Sequence, residues 1–266
     1  MDLPMMKSIV KFFLRNVPRR HLHRISHFVF FIISPFYAGN RFEDPITGRT
    51  YRKLLPYGRT NPRENALAPH SMSLERHRMT WLYLKERTNF FSANLKVLHV
   101  APEHCFLTRF KKLDNLDYIS ADLNSPWADI HMDVHDIPFE DETFDVVIAN
   151  HLLEHVENDK KVLSEFFRVL KPGGWGILLV PMIVDMEKTY EDPTITSPEE
   201  REKHFKQNDH YRIYGRDYPE RLRSVGFEAI EEDFVSTYPE ELRERYCLPK
   251  EDLMYQVTRP AVAVHT

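Results

Sequence analysis

The sequence lacks the features that mark several large classes of protein. Its 266 residues include only two cysteines, Cys105 and Cys247, which cannot build a disulfide framework and show no metal-ligand spacing. The formal net charge of -4 gives no overall basic field, so we expect no nucleic-acid partner. No apolar run approaches the roughly 20 residues that span a bilayer. No G-x-G-x-x-G motif marks a dinucleotide oxidoreductase. The low cysteine content favours a reducing, cytoplasmic location.

Residues 1–39 differ from the rest of the chain because they are basic and amphipathic. Lysines and arginines alternate with large apolar side chains between Lys7 and Ile25, and Asp2 is the only acidic residue before Glu43. This composition suits a helix that lies on an anionic membrane, here as a peripheral contact on the inner membrane face. A helix that packs on the main domain with a solvated basic face explains the pattern equally well, and both interpretations stay open.

Residues 40–72 are predicted to be loop-rich, because proline and glycine punctuate them at Asp44–Gly48, Pro56–Gly58 and Ala68–His70. From residue 73 to 266 apolar strands alternate with helices. The predicted strands of the first part are Val97–Ala101, Tyr118–Leu123, Ile130–Asp133, Phe144–Ala149 and Trp175–Val180.

A helix is predicted over Asp159–Leu170, and Phe227–Phe234 and Leu253–Val257 are predicted to close the sheet as an antiparallel pair. The alternation predicts an α/β fold with a doubly wound, mostly parallel, seven-stranded Rossmann-like sheet and an N-terminal helical and loop extension.

Polar residues follow the ends of several predicted strands, where ligands of such sheets bind. The loop from Ala101 to Cys105 follows the first strand. Asp122 ends the second strand, 21 positions after Ala101, where an acid is placed to accept hydrogen bonds from both ribose hydroxyls. Asp133 is placed to accept from an adenine amino group. Asn150 and His151 follow the strand that would face the reacting group.

The stretch from Lys96 to Met182, about a third of the chain, resembles the class I S-adenosylmethionine-dependent methyltransferases. The similarity is strongest to the small-molecule branch, which reads roughly "GDAEDLPFPDNSFDVV…LEHV…VLKPGG". The motifs that carry it are Asp133–Phe139, Asp141–Asn150, Leu153–Val156 and Leu170–Gly174. A later segment, Asp209–Gly215, resembles the group's "HLRFYS" sequence.

The resemblance implies S-adenosylmethionine as cofactor and assigns roles to particular residues. Asp122 with Leu123 would hold the ribose side, Asp133 with Val134 would hold the adenine, and Asn150 would line the methyl-transfer channel. His210 would approach the acceptor. The remaining candidates are His151 with His210 as catalytic residues, and His155, Tyr211 and Tyr214 as acceptor-binding residues.

The first motif departs from the family pattern "VLDIGCGTG". His99 replaces the acid, and Ala101, Glu103 and Cys105 replace the three glycines in a loop that contains Ala101-Pro102-Glu103. Ala101 costs little if its φ is negative. The Glu103 carboxylate either accepts from the cofactor ammonium, in place of the acid missing at 99, or marks a loop that no longer binds cofactor. We therefore assign His99, Ala101, Pro102 and Glu103 to the cofactor site.

Residues 40–72 resemble, more weakly, the zinc knuckle of some relatives. The positions that would carry the thiolates are Asp44, Thr47, Ala68 and Ser71, so thiolate ligation of zinc is excluded and we expect no metal.

The predicted activity is methyl transfer from S-adenosylmethionine to a small-molecule or lipid-linked acceptor. A base is needed only for a nucleophile that arrives protonated, and His151, His155 and His210 are the candidates. The charged insert at residues 183–212 is either a lid over the acceptor or a solvated surface helix near Pro198–Lys206. The alternative function is a catalytically silent domain that serves as an interaction or membrane-surface module.

Overall fold

The computed structural model describes residues 29–30, 32–58, 62–250 and 252–261. The predicted basic segment at 1–39 therefore lies mostly outside the described residues. The helices are α1 (Glu75–Arg87), α2 (His104–Phe110), α3 (Asp159–Val169), α4 (Pro198–Phe205), α5 (Tyr218–Arg223) and α6 (Glu240–Arg245). In the described part of the chain, none of the helices has the length and apolar character needed to cross a membrane.

The strands vary from two to ten residues in length, and the longest lies in the central sheet. They are β1 (Ala38–Asp44), β2 (Arg49–Tyr51), β3 (Leu55–Tyr57), β4 (Arg63–Leu67), β5 (Leu95–Val100), β6 (Leu116–Asp122), β7 (Ile130–His131), β8 (Phe144–Asn150), β9 (Leu170–Leu179), β10 (Tyr190–Glu191), β11 (Arg212–Ile213), β12 (Glu228–Glu232) and β13 (Met254–Thr258). The chain divides into two compact units: one takes the described residues up to Leu82 with Tyr238–Pro249, and the other takes Tyr83–Thr237 with the described residues from Lys250 onward.

The second unit contains the predicted sheet. Seven strands lie in the order β12-β13-β9-β8-β5-β6-β7, and β5 to β9 run parallel. The strands at its centre are apolar because helices cover both faces of such a sheet. In β8, Val146, Val147, Ile148 and Ala149 have no exposed surface. The predicted fold class is confirmed.

The edge of this sheet and its longest strand refine the prediction. β13 runs antiparallel to both β12 and β9, as the sequence pattern predicts. The strand β9 begins at Leu170, directly after α3, and not at Trp175. Pro172-Gly173-Gly174 lies inside the strand, where a Cβ on Gly174 would stand 2.9 Å from the Lys171 carbonyl oxygen. Glycine is therefore needed here for close backbone contact inside the strand, and the helix has already ended at Val169.

The first unit is more regular than its sequence indicates. β1 pairs with β2 and β3 with β4, both antiparallel, so residues predicted to be loop-rich form two short hairpins. The Asp44 carboxylate, fully buried, accepts hydrogen bonds from the Thr47 hydroxyl (2.8 Å) and the Ser73 hydroxyl (3.2 Å). Side-chain hydrogen bonds thus connect the segments that thiolates and zinc would join in a knuckle.

Candidate functional site

The register of the parallel strands brings the ends of β5, β6 and β8 to one edge of the sheet. Val100 in β5 is paired with Ala121 in β6 and with Ala149 in β8. The residues that follow these positions are Ala101, Asp122 and Asn150, so they are neighbours along the carboxyl edge. β7 lies next to β6, which adds the segment beginning at Met132. The structure therefore gathers the predicted cofactor residues at one place.

The first loop leaves β5 through a strained residue. Ala101 has a φ of 49°, in the left-handed region, and its N–H donates to the Ala121 carbonyl at 2.8 Å. The condition under which alanine would be inexpensive here, a negative φ, is not met. A left-handed conformation costs a residue with a Cβ about 1–2 kcal/mol, so the position that is glycine in the family pattern keeps a glycine-like backbone.

A buried relay fixes the Glu103 carboxylate. The Tyr118 hydroxyl lies 2.8 Å from His99 Nδ1, and His99 Nε2 lies 3.0 Å from Glu103 Oε2. His99 has no exposed surface. Burial, with the nearby Glu103 carboxylate, raises the pKa of Tyr118, which keeps its hydroxyl protonated. That hydroxyl donates to Nδ1, and Nε2–H then donates to Glu103.

The second oxygen of Glu103 is held from β8. Asn150 Nδ2 donates to Glu103 Oε1 at 3.1 Å. Asn150 is 5% exposed, and its own Oδ1 is buried without a hydrogen-bond partner. A buried acceptor with no donor is costly, so such an atom points to a missing donor. An ammonium group, which offers several N–H donors, fits a pocket edge made by Asn150 Oδ1 and the Glu103 carboxylate.

The residues that the sequence predicts to hold the adenosine part of the cofactor lie at or just after the ends of β6 and β7. Asp122 Oδ1 accepts from the N–H groups of Asn124 (2.8 Å) and Ser125 (2.7 Å), which orients the side chain and leaves Oδ2 for a ribose hydroxyl. The next residue, Leu123, is an exposed large apolar side chain. An exposed leucine beside an oriented carboxylate suits contact with the apolar face of a nucleoside.

Asp133 lies on the exposed side of the same edge. Its Oδ1 accepts from the His135 N–H at 2.9 Å and lies 2.7 Å from His135 Nδ1, and these hydrogen bonds lower the pKa of Asp133. Val134 is buried beneath it. The carboxylate is therefore ionised and available as an acceptor, which its predicted role toward adenine requires.

The segment after β8 carries the candidate catalytic residues. His151 is also strained, with a φ of 51°, and its Nδ1 lies 3.4 Å from Glu154 Oε1. Strained backbone at two places of one edge, Ala101 and His151, is typical of a functional site. His155 and His210 meet edge to face with ring centroids 4.6 Å apart. Burial, with the neighbouring His155, lowers the pKa of His210 and favours its neutral form.

Arg212, which the sequence analysis did not single out, holds this segment in place. It is buried, and its guanidinium donates to the carbonyl oxygens of Leu153 and Val156, both at 2.6 Å. It also pairs with Glu191 at 2.9 Å. These contacts of Arg212 hold the one-turn 3-10 helix Leu153–His155, which carries Glu154 and His155. No spacing rule predicts this contact, since Arg212 is far from the turn in the sequence.

Two predicted acceptor residues occupy different surroundings. Tyr214 has no exposed surface, its hydroxyl donates to Asp159 Oδ2 at 2.8 Å, and burial raises its pKa well above the usual value. Tyr211 is half-buried under the guanidinium of Arg201, 3.9 Å from its ring centroid. Tyr214 thus has a structural partner already, whereas Tyr211 lies at the end of the insert, where its N–H donates to the Glu154 carbonyl oxygen. Both acceptor roles stay predictions.

The insert at 183–212 is anchored at both ends. Its strand β10 pairs with β11, and Ser197 caps the start of α4, because its hydroxyl oxygen accepts from the Glu200 N–H at 3.2 Å. Phe205 at the end of α4 is buried, while most of the helix is exposed. The lid and surface-helix interpretations both remain predictions.

Comparison with known proteins identifies the domain. The sequence profile described as "Methyltransferase domain" matches residues 92–178. A sterol 4-C-methyltransferase of Caenorhabditis elegans is 33% identical over 84 residues, which are 32% of this chain and 23% of that protein. A ubiquinone/menaquinone biosynthesis C-methyltransferase of Klebsiella pneumoniae is 28% identical over 130 residues, 44% of this chain and 47% of that protein. The chain spans less than half the length of these curated relatives.

Among solved structures, an S-adenosylmethionine-dependent methyltransferase from Mesorhizobium loti is 13% identical, with coverage of 67% of this chain and 97% of that chain and a TM-score of 0.46. The matched range coincides with the strands that carry the loop at Ala101, Asp122 and Asn150. By the profile match, residues 92–178 of this protein form a methyltransferase domain.

Proposed function

We propose that this protein transfers the methyl group of S-adenosylmethionine to a small-molecule or lipid-linked acceptor. The observation that carries the proposal is the fixed carboxylate of Glu103 beside the unpartnered Oδ1 of Asn150. Together they supply acceptors for the cofactor ammonium. In the family pattern this place has a glycine loop, and an acid stands at the position of His99.

The relay accounts for the exchange of residues at 99 and 103. In the family pattern the acid lies at position 99, on β5, whereas here His99 occupies that position and the acid, Glu103, is four residues later. His99 and Asn150 hold different oxygens of the Glu103 carboxylate, Oε2 and Oε1. The Glu103 side chain is 15% exposed, so its charge acts in a poorly solvated place, where an ion pair gains strength.

When bound, S-adenosylmethionine supplies a methyl group already activated by its sulfonium. A bond forms between the acceptor nucleophile and the methyl carbon as the methyl–sulfur bond breaks, and the sulfur keeps the electron pair. A hydroxyl nucleophile must lose its proton, and His151 would take it with Glu154 behind the ring as the orienting carboxylate, 3.4 Å from Nδ1. An already anionic nucleophile would need only alignment and exclusion of water.

The named relatives support an apolar, lipid-soluble acceptor. One is named for sterol methylation and the other for ubiquinone and menaquinone biosynthesis. We also propose cytoplasmic location with peripheral membrane contact through residues 1–38, from their basic and apolar composition. Deleting these residues should reduce co-sedimentation with vesicles that contain anionic lipid, and equal co-sedimentation of the shortened and full chains would reject the membrane contact.

The decisive measurement is S-adenosylmethionine binding by calorimetry to the full chain and to Glu103→Gln. Losing a charged hydrogen-bond acceptor costs about 1.5–3 kcal/mol, so affinity should fall about 10- to 100-fold. Glu140→Gln is the matched control, because it makes the same chemical change at an exposed residue outside the site. It should bind as the unaltered chain does.

The outcomes separate the two functions. Binding to the unaltered chain with loss in Glu103→Gln supports the proposal. No binding at millimolar cofactor would reject it and favour the silent interaction module. Equal affinity of Glu103→Gln and the unaltered chain would reject the role of Glu103 while leaving the cofactor in place.

A further inference from the structure

Three potential metal ligands meet beyond the end of β8. Glu154, His155 and His210 each offer a donor atom, and these atoms all lie within 4.8 Å of one another. Glu154 and His210 are buried, and His155 is half-buried. No metal is expected from the sequence, because His210 is too far from His155 along the chain to form a recognisable ligand spacing.

The Glu154 carboxylate is the part of this cluster that packing does not explain. Glu154 is 1% exposed, and its Oε2 is buried without a hydrogen-bond partner. Its other oxygen lies 3.4 Å from His151 Nδ1. A buried carboxylate oxygen without a donor or cation is expensive, so its surroundings point to a positive ligand.

The backbone around the cluster is held firmly on both sides. The Tyr211 N–H donates to the Glu154 carbonyl oxygen at 2.8 Å, which joins the segment of His210 to the 3-10 turn. The guanidinium of Arg212 holds the carbonyls of Leu153 and Val156. The three ligands are therefore carried by a prepared framework, which metal sites need.

We propose that Glu154, His155 and His210 form a site for one divalent transition-metal ion of the zinc class. Two imidazoles and one carboxylate are a ligand set for Zn²⁺, Fe²⁺ or Co²⁺. At metal–ligand distances of about 2.0–2.1 Å, tetrahedral donors stand about 3.3 Å apart, so an ion would draw the three donor atoms together from separations of up to 4.8 Å.

A second carboxylate supports His155 as a ligand. His155 Nδ1 lies 3.4 Å from Asp209 Oδ2. A ligand histidine commonly donates its other ring N–H to a carboxylate, which fixes the tautomer. With Nδ1–H directed to Asp209, the nitrogen left for the ion is Nε2. Asp209 is thus a positioning residue.

Three protein ligands leave at least one coordination position for another molecule, which is the arrangement of catalytic and not structural zinc sites. The next step rests on the proposed function. In a methyltransferase, the open coordination position would hold an oxygen atom of the acceptor. The ion would lower the pKa of a bound hydroxyl and place it beside His151. The acceptor class is then one that carries an oxygen donor.

Metal binding is tested without cofactor, so that its outcome is independent of S-adenosylmethionine. The full chain carries His21, His23 and His27 near its start, so all variants are made with these three replaced by alanine. Chelator-treated protein is titrated with Zn²⁺ by calorimetry and with Co²⁺ by visible absorption. We expect about one ion per chain and intense d–d bands of a low-coordinate site.

Substitutions then locate the ion. Glu154→Gln and His210→Ala should weaken Zn²⁺ binding at least 10-fold, and Asp209→Asn should weaken it about 10-fold, as outer partners of ligands do. His204→Ala is the matched control because His204 is exposed and pairs with Tyr190. It should bind as its parent does.

Several outcomes would overturn the proposal. These are no Zn²⁺ binding below millimolar, unchanged binding in His210→Ala, or an octahedral, weak Co²⁺ spectrum. The Co²⁺ spectrum of the parent protein decides the matter even if Glu154→Gln fails to fold. If only ring packing and the His151–Glu154 pair hold the cluster together, no Zn²⁺ binding below millimolar is expected.

Discussion

Replacing Ala101 by glycine should stabilise the protein, which is the opposite of the usual effect of this substitution. Ala101 has a φ of 49°, and it follows the last residue of a central strand. The left-handed conformation costs alanine about 1–2 kcal/mol. Glycine removes that cost but adds about 0.5–1 kcal/mol of unfolded-state entropy. The balance lies between no change and a gain of about 1.5 kcal/mol, or up to about 6 °C in the melting temperature of a domain of this size.

The assay is urea unfolding followed by intrinsic fluorescence, with thermal unfolding as a second measurement. Ala128→Gly is the control, because Ala128 is half-buried in a loop and is not among the residues with positive φ. It should lose about 0.5–1 kcal/mol. If Ala101→Gly destabilises the protein as much as Ala128→Gly does, the backbone at 101 is not strained and the reasoning is wrong.

Two further predictions concern residues that support the site. Arg212→Met should lower the free energy of unfolding by about 3–5 kcal/mol, because it removes the donors to the buried carbonyls of Leu153 and Val156 and leaves the Asp159 carboxylate with less compensating charge. Arg216→Met is the control, at an exposed arginine that donates to the Val184 carbonyl oxygen. It should change the free energy of unfolding by less than about 1 kcal/mol in the same urea assay. Hydrogen bonds from the Arg168 guanidinium and, to a smaller extent, from the Ile137 N–H lower the pKa of Glu165 from 4.5 to about 2. Because the folded-state pKa is the lower one, this contribution to stability is present above about pH 4.5 and is lost as pH falls toward 2. Urea midpoints between pH 7 and pH 2.5 should therefore fall less steeply in Glu165→Gln than in the unaltered chain, and parallel profiles would contradict the assignment.

The sequence predicted the central sheet because its signals are local. Apolar runs such as Val146–Ala149 are buried on both faces, and Gly226, with a φ of 107°, stops the pattern after α5 as its position indicates. The hairpins between Ala38 and Leu67 were missed because their strands are short and polar, so turn residues dominate the pattern. The start of β9 was placed too late because Pro172-Gly173-Gly174 reads as a helix stop when pairing with β8 is not known.

The sequence also predicted which residues follow the strand ends, but not which atoms would be paired. Glu154 looks like an ordinary acid of a surface turn, but it is buried in the structure, where the Tyr211 N–H donates to its carbonyl oxygen. The sequence position of Tyr214 suggests the acceptor pocket, and in the structure its hydroxyl donates a hydrogen bond to Asp159.

By itself, the sequence determined the order of strands and helices, the parallel sheet, and the presence of Asp122, Asp133 and Asn150 at its carboxyl edge. These follow from residue periodicity and from the short range of strand and turn preferences. Only the tertiary structure decided that Tyr118, His99, Glu103 and Asn150 form one relay from three strands and the loop after β5, and that Glu154, His155 and His210 meet. The reason is physical: the direction of a buried polar side chain is set by the partners that satisfy it, and those partners come from distant parts of the chain.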